Sequence, residues 1–153
     1  MQEFISYSEN ETKKFAHSIA AFFNIGDVIV LDGDLGSGKT KFTEGFLDYF
    51  GLADEISSPT FTIVNEYNAQ NGINIYHFDV YRLSSVDEFY AIGGNEYFEN
   101  GISIVEWGEL VEEAIPKNAI KIKFSRSFEN ENYRKLEIYG LEERGINLEN
   151  IKC

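Results

Sequence analysis

The sequence predicts an α/β domain, a mixed parallel and antiparallel sheet flanked by helices, and three observations carry that reading. Val28-Ile29-Val30-Leu31 is an unbroken apolar run, the pattern of a strand buried on both faces, and Ile102-Ser103-Ile104-Val105 nearly repeats it. Segments of helical periodicity stand between such runs. Towards the C-terminus Ile120, Ile122 and Phe124 alternate with Lys121 and Lys123, and Leu136 and Ile138 alternate with Lys135 and Glu137, the mark of strands with one wet face. Buried and half-buried strands in one chain imply a mixed sheet with helices against it.

Taken in order, Glu3 to Tyr7 form a short strand. Ser8 and Glu11 have capping-box spacing ahead of a helix whose apolar side is Phe15, Ile19, Phe22 and Phe23. Gly26 breaks the chain before the first buried strand, which feeds a glycine-rich turn. A second helix starts near Thr40, carries Phe42, Phe46, Leu47 and Phe50 at helical spacing and stops at Gly51. Ser57-Ser58-Pro59 is a break, after which Thr60 to Tyr67 and Ile73 to Val80 read as a hairpin joined by Asn68-Ala69-Gln70-Asn71-Gly72. Ser84 to Ala91 and Glu96 to Glu99 are short helices separated by Gly93-Gly94. Gly101 leads into the second buried strand, and Glu109 to Ala114 is a helical turn or two stopped by Pro116.

With 153 residues, 43% of them apolar, the chain is long enough for one domain that buries roughly 68–70% of its unfolded surface without metal or disulfide staples. Cys153 is the single cysteine and suits a reducing, cytoplasmic compartment. No secretion signal is recognisable and no apolar run reaches the 18 or so residues of a membrane span, so a soluble protein is expected. Against 26 acidic residues stand 13 Lys and Arg, a net charge of −13. That balance disfavours tight nonspecific binding to nucleic acid, which depends on cations replacing counterions along phosphates. Any phosphate site must therefore be local, and the acidity is either a solvated surface or a docking face for a more basic partner.

One local site stands out. Gly33-Asp34-Leu35-Gly36-Ser37-Gly38-Lys39-Thr40 fits the P-loop pattern of Gly, four residues, Gly, Lys and Ser or Thr, between a buried strand and a helix start. Leu35, Gly36, Ser37, Gly38, Lys39 and Thr40 are thus the candidate nucleotide-binding residues. Gly36 and Gly38 let the backbone wrap closely around phosphates, and free N–H groups at the helix start add positive potential. Lys39 supplies a mobile cation for the β and γ oxygens, and the Thr40 hydroxyl is a ligand for Mg²⁺.

Such a loop needs an acid at the end of a neighbouring buried strand, and two are available. Glu106 ends the more continuous apolar run, whereas Asp79, after Ile75-Tyr76-His77-Phe78, is the commoner residue type at such sites. Both stay candidates. Pro59 fixes its own φ and pushes Ser58 towards an extended conformation, which presents Thr60 at a strand start. His77 reads as a hydrogen-bonded structural histidine, with orientation of a water as the alternative, and Trp107, the only tryptophan, as core packing, with a wall of the site or a contact surface as the alternatives.

Four stretches, GDLGSGKT (33–40), SPTFTIVNEY (58–67), HFDVYRL (77–83) and EWGE (106–109), resemble in order and spacing the bacterial TsaE (YjeE) family. This family is the small ATPase of tRNA threonylcarbamoyladenosine biosynthesis, and the similarity runs from about Ser6 to Tyr139. The resemblance implies a P-loop NTPase fold over residues 1–139, with a C-terminal tail, 140–153, of open role. It further implies slow, Mg²⁺-dependent ATP hydrolysis that acts on a TsaD–TsaB pair to allow repeated catalytic cycles. Thr40 and Glu106 would hold Mg²⁺, Asp79 would stand at the Walker B position, and Thr60 would lie in a nucleotide-sensing switch. The catalytic set so implied is Lys39, Asp79, Glu106 and Thr60, with Thr12 and Arg134 as further nucleotide contacts. Ser37 replaces a usual Ala, and Lys41, where a small residue is common, would add charge near the phosphates. Under this reading the acidic subunit does not itself hold tRNA tightly; with no heptad seam or large exposed apolar stripe in the sequence, a monomer is expected when it is free.

Two other classes compete. A small P-loop kinase passing phosphate to a metabolite would need a lid of clustered arginines, and only Arg82, Arg126, Arg134 and Arg144 are present, with no such cluster. A nucleotide-dependent binding module would lack turnover. The Asn-Lys-x-Asp guanine signature is absent, which favours ATP over GTP.

Overall fold

The computed structural model describes residues 1–151 apart from Leu35, residues 56–62 and Phe128, and the backbone alone of Arg82. The expected Thr60, the break at 57–59 and Cys153 therefore lie outside the described residues, as does Leu35.

Among the described residues the strands are β1 (Gln2–Ser6), β2 (Val28–Asp32), β3 (Val64–Asn68), β4 (Asn74–Asp79), β5 (Ile102–Glu106), β6 (Ile120–Arg126) and β7 (Arg134–Tyr139). The helices are α1 (Glu9–Ala20), α2 (Lys39–Tyr49), α3 (Val86–Ala91) and α4 (Gly94–Asn100), and Gly108–Ala114 is a 3-10 segment. One sheet has the order β1-β7-β6-β2-β5-β4-β3. The central strands β6, β2, β5 and β4 run parallel, while β7, β1 and β3 pair antiparallel at the flanks. This is the mixed sheet that the patterning predicts, in the P-loop NTPase fold that the family resemblance implies.

Strand alternation divides the core in two. Ile29 and Leu31 of β2 face α1 and α2 with Phe15, Ile19, Phe42 and Phe46, and the inward residues of β6 and β7 join them. Val28 and Val30 point the other way and pack with Phe78, Val105, Phe89 and Phe98 beneath α3 and α4. Both faces of β2 are thus covered, which is why its sequence shows no polar alternation.

Local sequence explains the helix ends. Ser8 Oγ accepts from Glu11 N at 3.1 Å, as the capping-box spacing requires, while the Glu11 carboxylate accepts from Tyr7 N, one residue before the cap. Phe22 departs from expectation: α1 ends at Ala20, so Phe22 leaves the helical register and is exposed. The hairpin β3–β4 is also shorter than predicted in its described part, from Val64 and ending at Asp79. The tail is integral to the core. Leu141 is fully buried, Ile146, Leu148 and Ile151 pack against the α1–α2 side, and Arg144 pairs with Asp27 at 2.9 Å.

Candidate nucleotide site

All four parallel strands end at one edge, and the site is assembled there from their C-terminal residues. Register fixes the row: Leu31 of β2 lies beside Glu106 of β5, which lies beside Asp79 of β4. Because side chains alternate along a strand, Glu106 shares its face with Ile104 and His77 shares its face with Ile75, the face covered by α1 and α2. The start of α2 lies on that side, so a carboxylate at the end of β5 meets the first residue of the helix after β2.

The turn between β2 and α2 is held open by glycine. Gly36 and Gly38 have φ of 80° and 108°, in the left-handed region where other residues are strained. Gly33 is needed for space, since a Cβ there would lie 2.7 Å from Ser37 Oγ and 2.9 Å from the Phe124 carbonyl. Ser37 is buried against that glycine and its hydroxyl has no partner among the described residues. Gly38 occupies the N-cap of α2 without a side chain to satisfy the first-turn N–H groups. Those groups, with the helix dipole, make this eleven-residue helix start an anion site.

Lys39 is buried between two partners. Its Nζ lies 3.7 Å from Glu106 Oε1 and 4.8 Å from the centroid of the Trp107 ring. Glu106 Oε2 accepts a 2.6 Å hydrogen bond from His77 Nε2. Burial by itself would raise the Glu106 carboxyl; the His77 hydrogen bond and charge, and then Lys39, outweigh it and hold the group below the usual carboxylate range. Trp107, at φ 65°, turns the chain sharply after Glu106, and Tyr81 packs on its ring at 5.0 Å.

The predicted residues separate clearly. Lys39, Glu106 and the helix start come together, with Thr40 exposed in the first turn. Asp79 is next to Glu106 in the sheet, and its Oδ1 accepts from Tyr81 N at 3.2 Å, capping the turn that follows β4. Arg134 lies along the loop: its guanidinium donates to the Gly36 carbonyl at 3.2 Å, and its aliphatic stem is 3.7 Å from where a Gly38 Cβ would be. Thr12 is buried with its hydroxyl 2.7 Å from Ser6 Oγ, and Ser6 is the register partner of Arg134. Lys41, which follows Thr40 in α2, pairs through its Nζ with Glu44 at 3.4 Å and Glu9 at 3.9 Å. Its charge is taken up between α1 and α2.

Arg126 had no assigned role in the sequence, and His77 had one without a named partner. Arg126, at the end of β6, places a guanidinium nitrogen 3.1 Å from the Cβ position of Gly36. His77 is the buried, hydrogen-bonded histidine that the sequence leads one to expect, and its partner is the site carboxylate. The donor set suits a hard cation: a hydroxyl at Thr40 and a carboxylate at Glu106, with no cluster of three or more His, Cys, Asp or Glu among the described residues. Mg²⁺ takes one or two carboxylates and completes its shell with water and phosphate oxygens, so these residues fit it.

Comparison with known proteins agrees with this geometry. Residues 6–136 match the family model described as threonylcarbamoyl adenosine biosynthesis protein TsaE. The tRNA threonylcarbamoyladenosine biosynthesis protein TsaE of Bacillus subtilis is 45% identical over 122 residues, 79% of this chain and 75% of that protein. The protein of the same name from Treponema pallidum is 36% identical over 119 residues, 77% of this chain and 87% of that one. The crystal structure of YdiB from Bacillus subtilis superposes with a TM-score of 0.67 at 37% identity, covering 88% of this chain and 82% of that one. With a P-loop sheet, an open helix start after Gly38 and a family match over most of its length, this chain belongs to the TsaE family.

Proposed function

We propose that the protein is a Mg²⁺-dependent ATP-binding and hydrolysing subunit of tRNA N6-threonylcarbamoyladenosine biosynthesis, and that it acts on a TsaD–TsaB complex to allow repeated cycles. One observation carries this reading: Lys39, Glu106 and the uncapped N-terminus of α2 converge at one sheet edge. The first-turn N–H groups of α2 receive the phosphates, and Lys39 leaves Glu106 for the β and γ oxygens. Thr40 and Glu106 would hold Mg²⁺, which supplies charge neutralisation on those oxygens. Arg134, along the loop, and the Thr12 region beneath it bound the nucleotide on the β7 side. Gly36 and Ser37 complete the cradle and Asp79 is the second acid, while Leu35 and Thr60 are carried over from the sequence alone, as a further nucleotide-binding residue and, by the family resemblance, the switch residue.

Partner dependence follows from what the site lacks. Among the described residues Lys39, Arg126 and Arg134 bring positive charge to the loop, and the sequence between the two acidic strands holds no cluster of arginines, so slow solitary turnover is expected. At a net charge of −13, docking on a more basic protein surface is favoured and tight tRNA binding is not. No helix among the described residues is long and apolar enough to cross a membrane, and the proposed location is the cytoplasm, as a monomer when free.

Measuring ATP turnover by the protein alone, with added TsaD–TsaB, and with a panel of metabolites tests the proposal. Low solitary turnover that rises with the protein pair is expected. A phosphorylated small molecule formed in step with ADP would instead make the protein a kinase.

A further inference from the structure

His77 and Glu106 are 29 residues apart in sequence and meet only because β4 and β5 are parallel neighbours. A carboxylate can only accept, so the 2.6 Å contact requires the proton on His77 Nε2. The imidazole is 3% exposed and its Nδ1 has no partner among the described residues, within which its side-chain hydrogen bond is the one to Glu106. The two carboxylate oxygens are therefore unequal: Oε2 is taken by His77, and Oε1 faces the Lys39 ammonium across 3.7 Å.

We propose that His77 is a positioning residue for Glu106, holding Oε2 so that Oε1 alone is presented to the divalent cation that accompanies nucleotide. The proposal rests on the reading of the site as a Mg²⁺–nucleotide site. Without the His77 bond the carboxylate is free to rotate, and Oε1 is no longer held where the cation is to be met. A partner that orients a metal-binding carboxylate typically changes metal affinity by about 10–100-fold when lost. The phosphate cradle itself, built from backbone N–H groups, does not involve His77.

The test is the cation dependence of nucleotide binding, read without turnover. Fluorescent mant-ADP is titrated with and without Mg²⁺, and Mn²⁺ affinity in the presence of ADP is read by electron paramagnetic resonance. Variants are His77→Ala, His77→Gln, whose amide nitrogen reaches the position of Nε2, and His77→Asn, whose amide nitrogen reaches only that of Nδ1. The cation concentration for half-saturation should rise about 10–100-fold in His77→Ala and His77→Asn and be largely restored in His77→Gln, with cation-free mant-ADP affinity unchanged. If His77→Ala does not fold, the Gln and Asn pair, matched in chemistry and differing in reach, decides. A wild-type cation titration in the variants, or identical behaviour of Gln and Asn, overturns the proposal while the nucleotide reading stands. Failure of the wild type to bind mant-ADP overturns both.

Discussion

Lys39 sits between a carboxylate and an indole, and each contact has a measurable consequence. Trp107 is the only tryptophan in the chain, with the Lys39 ammonium 4.8 Å from its ring. Nucleotide that draws Lys39 to its phosphates removes that cation, so the intrinsic fluorescence should change on adding ATP and stay constant in Lys39→Ala. Glu106 makes a pH prediction. Its carboxyl is held below its ordinary value in the folded chain, so its contribution to stability is complete above the unfolded value of about 4.3 and fades as pH falls through the folded one. Urea melts of Glu106→Gln should therefore show a shallower loss of stability with acid than the wild type, and identical slopes would remove this carboxylate from the acid transition. Glu106 was legible in the sequence because it ends an apolar run. Its bond to His77 was not, because nothing in either local stretch states that β4 and β5 are neighbours.

At the level of elements, helix α2 must approach α1 closely enough to leave its first turn over the strand ends. Gly45 permits that approach: a Cβ there would lie 2.2 Å from the Lys13 carbonyl oxygen, a backbone atom that cannot rotate away. Gly45→Ala should force the helices apart and destabilise the fold by about 1–3 kcal/mol, measured by chemical denaturation, with weakened nucleotide binding as the helix start shifts. The helices, the strands and the glycine-rich turn were readable from periodicity and breakers, within a few residues at each end. Phe22 was misplaced because helical spacing continues in the sequence after the helix has stopped at Ala20. The close packing at Gly45 was invisible for a different reason: a glycine inside a helical pattern looks the same whether it faces solvent or another backbone.

For the whole molecule, the mixture of parallel and antiparallel pairing was deducible from wet and dry strand faces, whereas the strand order was not. β1 joins the sheet through β7, from the opposite end of the chain, and the segment after Tyr139 closes over that seam. Gln2 donates to Ile146 O at 2.8 Å and accepts from Leu148 N at 2.7 Å, which ties β1 to the segment after Tyr139. Truncation after Gly140 removes fully buried Leu141 and the apolar residues behind it, and should cost at least about 2–5 kcal/mol, the range for a single buried leucine. An unchanged melting temperature would show the tail to be dispensable.

The central claim is that one cradle, Gly36 to Thr40 with Glu106, binds nucleotide with its cation. Isothermal titration of ATP into the wild type and Lys39→Ala, each with Mg²⁺ and with EDTA, tests it most directly. One ATP per chain, tighter with Mg²⁺ and lost in Lys39→Ala, is the predicted result. No saturable binding by the wild type, or equal affinity in a folded Lys39→Ala, would contradict it.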